Sequence, residues 1–365
     1  MKIVTVLGTR PEIIRLSVLV RKLDSLCDHV LVHTGQNSDP GLSDLFFREL
    51  GVRSPDVFMG VDTSSPGRQI GRILEGTEGI LLREAPDRML VLGDTNSALS
   101  VFMAKRMGIP VFHMEAGNRC FDDRVPEEIN RRVVDACSDV LLPYTAGSRE
   151  NLLAEGIPSR RIVVTGNPIL EVMKEHAGLV EGSGILGDLG LSAHEYFLVT
   201  AHRAENVDDP ARLGKILDSL VRVAEEWGLP VVVSVHPRTR ARIESLGGFR
   251  GNSLVRLMEP FGFPDFVQLE KNARCVLTDS GTVQEECCIL RVANVTIRDV
   301  TERPETVACG SNILSGVEPE NVMRCVGTAL RRSRDWTPPE EYTRENVSDT
   351  VASVMMARLI NSPGS

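Results

Sequence analysis

The chain has 365 residues, more than one hydrophobic core usually organises, so its length predicts two domains with a ligand cleft between them. It is 42% hydrophobic and 25% charged but only 4% aromatic, a globular composition poor in the stacking platforms that single-stranded nucleic acid needs. Fifty acidic against 41 basic residues give a net charge of -9, which repels phosphate polymers at long range; a small anionic ligand held by local arginines and amides fits better than nucleic acid.

The N-terminal MKIVTVLGTRPE has one lysine and then a short β-rich run, unlike a signal peptide, and no apolar run approaches the roughly 18 residues that span a bilayer. Eight cysteines (Cys27, Cys120, Cys137, Cys275, Cys287, Cys288, Cys309, Cys325) show neither a CxxC pair nor metal-ligand spacing. They read as reduced, mostly buried thiols, and the expected location is the cytoplasm, with no membrane partner and no metal.

In chain order, β-branched runs alternate with helical patterns: strand 3–7, helix 11–23, strand 29–33, helix 42–50. Strands at 89–92, 111–114, 140–143 and 162–165, with helices at 96–107 and 126–137, continue the series and predict a doubly wound parallel sheet. A second series runs through strand 197–200, helix 211–227, strands 231–235, 254–257 and 275–278, helix 283–290 and strand 295–297. The expected fold class is α/β: two Rossmann-like parallel-sheet domains, 1–168 and 169–345, facing a cleft. A helix at about 346–360 is expected to pack back on the first, and 362–365 to form a loose tail. Gly182, Gly184 and Gly187 satisfy GxGxxG, but a helix rather than a strand precedes them, so a flexible interdomain loop is expected there and not a nicotinamide site.

The residues able to carry chemistry fall at predicted strand ends, where open parallel sheets place their sites. Gly8-Thr9-Arg10-Pro11-Glu12 forms a tight turn at a helix start, expected to expose amides to an anion with Arg10 as a charged fork and Arg15 one turn on. Asp94 and Glu115 end two strands of the first series; the bland alternatives are helix capping for Asp94 and pairing with Arg119 for Glu115. Glu127, in a helix's first turn beside Glu128, would add a third carboxylate, and crowded carboxylates raise one another's pKa. In the second series His202 and His236 end successive strands beside arginines, suggesting a pyrophosphate wall, although a lone histidine is more often a satisfied core residue. Asp279-Ser280-Gly281 enters a helix through a turn suited to phosphate, Glu286 is spaced for ribose hydroxyls, and Arg303 offers a second fork.

Taken together, GTRPE, HTGQ (33–36), GDTNS, HMEAGNR, PEEINR, HRAEN, SVHP, DSGTVQEE and TERPE occur in an order that closely resembles the non-hydrolysing UDP-N-acetylglucosamine 2-epimerase family over nearly the whole chain. The resemblance implies a GT-B-type fold, a homodimer, a UDP-sugar substrate and no cofactor. It also implies a reaction: UDP is eliminated to leave a 2-acetamidoglucal and re-added after the proton returns to the opposite face. Matched residue by residue, the catalytic groups are Asp94, Glu115, Glu127 and His202. The nucleotide is held by Arg10, Arg131, His236, Phe266, Ser280, Gly281, Glu286 and Arg303, with Phe266 beside uracil. Asn37 and Thr282 depart from the family's usual histidine and glycine, and the first change bears on an allosteric site that some bacterial members possess. The stretch 113–130 resembles the branch that converts UDP-2-acetamido-2,6-dideoxy-L-talose to UDP-N-acetyl-L-fucosamine. A hydrolysing epimerase, a UDP-sugar glycosyltransferase and a non-catalytic UDP-sugar binder are the rival readings.

Overall fold

A computed structural model describes residues 1–36, 40–249 and 251–358. Asn37, the end of the expected C-terminal helix at 359–360 and the tail at 362–365 lie outside the described residues. The chain divides into two compact units: Met1–Arg119, Pro126–Glu175 and the chain from Thr343 onward form the first; Cys120–Val125 and His176–Tyr342 form the second.

In the first unit, β1 (Lys2–Leu7), β2 (Asp28–His33), β3 (Val57–Phe58), β4 (Arg88–Leu92), β5 (Val111–Met114) and β6 (Val140–Leu142) build one parallel sheet, ordered β3-β2-β1-β4-β5-β6. The second unit repeats it with β7 (Phe197–Thr200), β8 (Val231–Ser234), β9 (Val255–Met258), β10 (Cys275–Thr278), β11 (Asn294–Thr296) and β12 (Asn312–Leu314), ordered β12-β11-β10-β7-β8-β9. Both sheets are wound alike, and each reverses its strand order beside its first strand, between β1 and β4 and between β7 and β10. At that reversal the loops leaving the two strands diverge to opposite faces and open a crevice at the strands' C-terminal ends. Helices cover both faces, so central strands such as β4, β5, β7 and β10 are buried at every residue and read as largely apolar runs.

Many helices begin with proline in the first turn, where a missing N–H costs nothing; Ser65 and Asp209 also cap the helices that follow them. The terminal helix Val347–Met356 packs on helix Arg10–Leu26, and Ser348 donates its amide to Glu171 at 2.9 Å.

Two sequence expectations change, and one unassigned stretch turns out to be structured. Residues 162–165 make no strand: Val163 and Thr165 donate to the carbonyls of Leu141 and Pro143, and Gly166 at φ 93° then turns the chain away. The stretch 51–88 contains the edge strand β3 and the 19-residue helix Pro66–Glu84, hidden because four glycines dilute the helical pattern and β3 has only two residues. The GxGxxG stretch is not an open loop; it enters the short helix Ile185–Asp188, and Ile185 packs into a core with Tyr196, Leu198 and Val276.

Gly117, at φ 77°, is a position where no side chain fits: a Cβ there would stand 2.2 Å from the Ser148 carbonyl oxygen. Gly117→Ala is therefore expected to lower the unfolding free energy in urea by about 2 kcal/mol or more. By contrast Gly71→Ala, in open space on a helix, should be neutral or stabilising by up to about 1 kcal/mol. Equal stabilities for the two variants would contradict this reading of the turn.

Candidate active site

At the first unit's crevice, Glu115 follows β5 in a left-handed conformation (φ 66°), unusual for a residue with a side chain, and is 6% exposed. Its amide donates to the Leu142 carbonyl at 3.1 Å. Its carboxylate is paired with the guanidinium of Arg15, which is 3% exposed and stands over the Tyr144 ring at 5.6 Å. The partner of Glu115 is thus Arg15 and not Arg119. Arg119 bonds Asp135 at 2.7 Å and Glu155 at 2.6 Å. Asp135 also meets His113 Nδ1 at 2.8 Å and accepts the Gly117 amide at 3.2 Å, which ties the Glu115 loop down from below. Burial alone would raise the Asp135 carboxyl; His113 and Arg119 outweigh it and hold it below its ordinary value.

Asp94, leaving β4, accepts from Arg131 at 2.8 Å (Nε) and 2.6 Å (Nη2), while Arg131 Nη1 donates to Glu128 at 2.7 Å. Asn130 donates to the Asp94 carbonyl at 2.9 Å, so the helix Pro126–Cys137 is fastened over the end of β4, with half-buried Glu127 in its first turn. The expected crowding of like carboxylates is thereby modified. Asp94 and Glu128 share one buried guanidinium and Glu115 has another, so positive charge is interleaved with the acids. Sequence reasoning missed Glu128, which is fully buried; an acid four residues before Arg132 and three before Arg131 was the available signal.

The Gly8 turn differs from expectation. Glu12, 2% exposed, accepts the Gly8 amide at 3.0 Å and the Thr9 hydroxyl at 2.7 Å, and Thr95 Oγ1 lies 3.1 Å away. The chain's own carboxylate therefore occupies the turn where an external anion was expected, while half-buried Arg10 lies over the Phe46 ring at 5.4 Å. Burial, only partly offset by these bonds, pushes the Glu12 carboxyl up to about 7. A raised acid binds its proton more tightly when folded, so its stabilisation is complete below about 4.5 and is lost as pH rises through about 7. The wild type should therefore lose Tm relative to Glu12→Gln as pH rises from about 5 to about 8. A gap between the two that stays constant across this range would contradict a protonated Glu12.

In the second unit the buried Asp279, ending β10, accepts the amides of His202 at 3.0 Å and Arg203 at 3.0 Å and the Asn206 side chain at 3.1 Å. His202 Nδ1 stands 3.4 Å from Asp279, its ring 35% exposed. The arginines beside the two histidines are engaged by acids, Arg203 with Glu302 at 2.9 Å and Arg238 with Asp208, while His236 Nδ1 accepts the Arg238 amide at 3.3 Å. That leaves the turn after β10. Ser280 makes no side-chain cap on helix Gly281–Leu290, and a Cβ on Gly281 would meet the Arg303 guanidinium at 3.4 Å, so Ser280, Gly281 and Arg303 come together. Arg303 is fixed by Glu285; burial would lower it, but Glu285, Tyr342, Glu302 and Glu305 hold it firmly charged. Glu286, one turn inside, is 3% exposed and raises the fully buried Glu270, which burial already pushes well above its usual value. Phe266 is half-buried on helix Phe263–Lys271, against the core that includes Tyr196 and Val283.

Twin sheets of this order, with acids at one reversal and a Ser-Gly-Arg turn at the other, define a GT-B-like class of two-sheet proteins. The family described as UDP-N-acetylglucosamine 2-epimerase matches residues 21–356, and the chain belongs to it. A UDP-N-acetylglucosamine 2-epimerase from Methanocaldococcus jannaschii is 39% identical over 93% of this chain and 95% of its own. A UDP-2,3-diacetamido-2,3-dideoxy-D-glucuronate 2-epimerase from Pseudomonas aeruginosa is 38% identical over 91% and 93%. The crystal structure of the M. jannaschii UDP-GlcNAc 2-epimerase in complex with UDP-GlcNAc and UDP superposes with a TM-score of 0.93, at 38% identity, covering 97% of this chain and 99% of that one. Among the described residues no helix is long and apolar enough to cross a membrane.

Proposed function

We propose that this chain epimerises UDP-N-acetylglucosamine at C2 to UDP-N-acetylmannosamine, a precursor for cell-surface polysaccharide. The observation that carries the reading is the pair of carboxylates, Asp94 and Glu115, leaving the adjacent strands β4 and β5, each opposite a buried arginine. Inverting a C–H centre requires one group to take the proton and another to return it on the opposite face, which two fixed acids supply. As the C2 proton leaves, its electron pair closes the C1–C2 double bond and the C1–O bond breaks toward UDP. Proton return and re-addition of UDP regenerate a UDP-sugar. Atoms and electrons balance with no external oxidant or reductant.

In this reading Asp94, Glu115 and Glu127 move protons, and His202, oriented by Asp279, assists. Ser280, Gly281 and Arg303 steady the departing diphosphate; Glu286 receives the ribose, Phe266 flanks uracil, and Arg10, Arg131 and His236 complete the charge balance. Because Arg131 is already bound to Asp94 and Glu128, its first effect is to fix those acids in place with positive charge between them. The homodimeric state rests on the family resemblance, and the cytoplasmic location on the cysteine pattern. The L-fucosamine-forming alternative is less favoured, since the relatives above are named for UDP-N-acetylglucosamine or a diacetamidoglucuronate sugar. A transferase or a plain binder would have no use for acids on two strand ends.

With UDP-N-acetylglucosamine in deuterated water, the purified protein should place deuterium at C2, and Asp94→Asn or Glu115→Gln should slow exchange about 100-fold or more with the fold retained. Absence of label from this substrate and from the deoxytalose and diacetamidoglucuronate analogues would overturn the proposal. Stoichiometric release of free UDP and N-acetylmannosamine would indicate the hydrolysing variant instead.

A further inference from the structure

Two cysteines lie on the elements that carry the second unit's charged turn. Cys288 is in the last turns of helix Gly281–Leu290, which opens at Ser280 and contains Glu286. Cys309 ends the helix Pro304–Ala308, which opens at Arg303. Their sulfurs are 3.7 Å apart. A disulfide needs about 2.05 Å, so a bond requires less than about 2 Å of closure.

The surroundings favour reaction. Cys288 is buried and Cys309 half-buried. Cys309 lines a pocket of about 280 Å³ together with Gly310, Arg332 and Trp336, large enough to admit a small oxidant. Trp336 donates its indole N–H to the Cys288 carbonyl at 3.0 Å, which fixes the pocket wall to the turn bearing the second sulfur. The hydrogen bond with Cys288, opposed by burial and aided by Ser311, lowers the Cys309 thiol, whereas Cys288 is raised. Because Cys309 is the half-buried sulfur that lines the pocket and Cys288 lies buried behind it, Cys309 is the attacking sulfur and Cys288 the resolving one.

We propose that Cys288 and Cys309 form a peroxide-reactive dithiol whose reversible disulfide weakens the hold on the UDP-sugar. In the first step the Cys309 thiolate attacks hydrogen peroxide, an S–O bond forms, the O–O bond breaks, and hydroxide leaves as water after taking a proton. The Cys288 sulfur then attacks the sulfenic sulfur, displacing a second water that carries off the thiol proton. Overall, two thiols are oxidised by two electrons to one disulfide while one peroxide is reduced to two waters. Closing the sulfur gap draws the C-terminal ends of the two helices together, and the same helices are fastened to each other near their starts by the bond between Arg303 and Glu285. The displacement therefore reaches the turn formed by Ser280, Gly281 and Arg303.

The test uses the full chain treated with hydrogen peroxide, followed by peptide mapping with and without dithiothreitol. A peptide pair linking Cys288 to Cys309 that dithiothreitol releases is expected, and it should be absent from Cys309→Ser. Oxidation of both to sulfinic acid without a link, or pairing with Cys287 instead, would overturn the assignment. The kinetic arm rests on the nucleotide-binding reading above. Oxidation should raise KM for the UDP-sugar about threefold or more, reversibly and only in the wild type, with Cys309→Ser retaining the reduced activity. A mapped disulfide with unchanged KM would overturn the regulatory effect while leaving the catalytic reading intact.

Discussion

The pairing of carboxylates with buried arginines at the first unit's strand ends is the constraint from which the rest of the site follows. At 6% exposure the Glu115 carboxylate lies out of water, and the guanidinium of Arg15 against it offsets the cost of burying its charge. Arg15 reaches Glu115 from the helix after β1, and Arg131 reaches Asp94 from the helix after β5. Removing one member of such a pair costs about 3–5 kcal/mol because the remaining charge is stranded. Helices are therefore fastened to strand ends by the same bonds that hold the proposed proton-transfer groups in place, so stability and chemistry draw on one set of contacts.

Both units treat the turn after their first strand alike. Glu12 collects the amide of Gly8 and the hydroxyl of Thr9; Asp279 collects the amides of His202 and Arg203. In each case an internal carboxylate occupies a place where a helix start would otherwise attract an anion. The effect is to rigidify the loop and present its side chains, Arg10 in one unit and His202 in the other. In the second unit, the proposed diphosphate contact then falls to the turn after β10 with Arg303 beside it.

Where the sequence was legible, the reason was periodicity and position. Continuous runs such as 197–200 and 275–278 can only be central parallel strands, and the chemistry-bearing residues follow such runs directly. Helix Pro66–Glu84 escaped because its glycines break the apolar stripe, and 162–165 misled because a β-branched run lying beside an edge strand looks like a strand. The pairing of Arg15 with Glu115 spans 100 residues, and no local pattern reveals it. Glu12, Asp279 and Glu285 were visible as letters, yet their burial depends on sheet order, which places the turns and helix starts that carry them against the reversals.

The central claim is that charged acids drive an elimination rather than a displacement by water. It is tested most directly by incubating the protein at high concentration with UDP-N-acetylglucosamine and analysing the quenched mixture by mass spectrometry. UDP and 2-acetamidoglucal in equal, small amounts beside interconverted UDP-sugars are the expected result. Interconversion with no trace of the glucal, or UDP matched only by a free hydrated sugar, would contradict it.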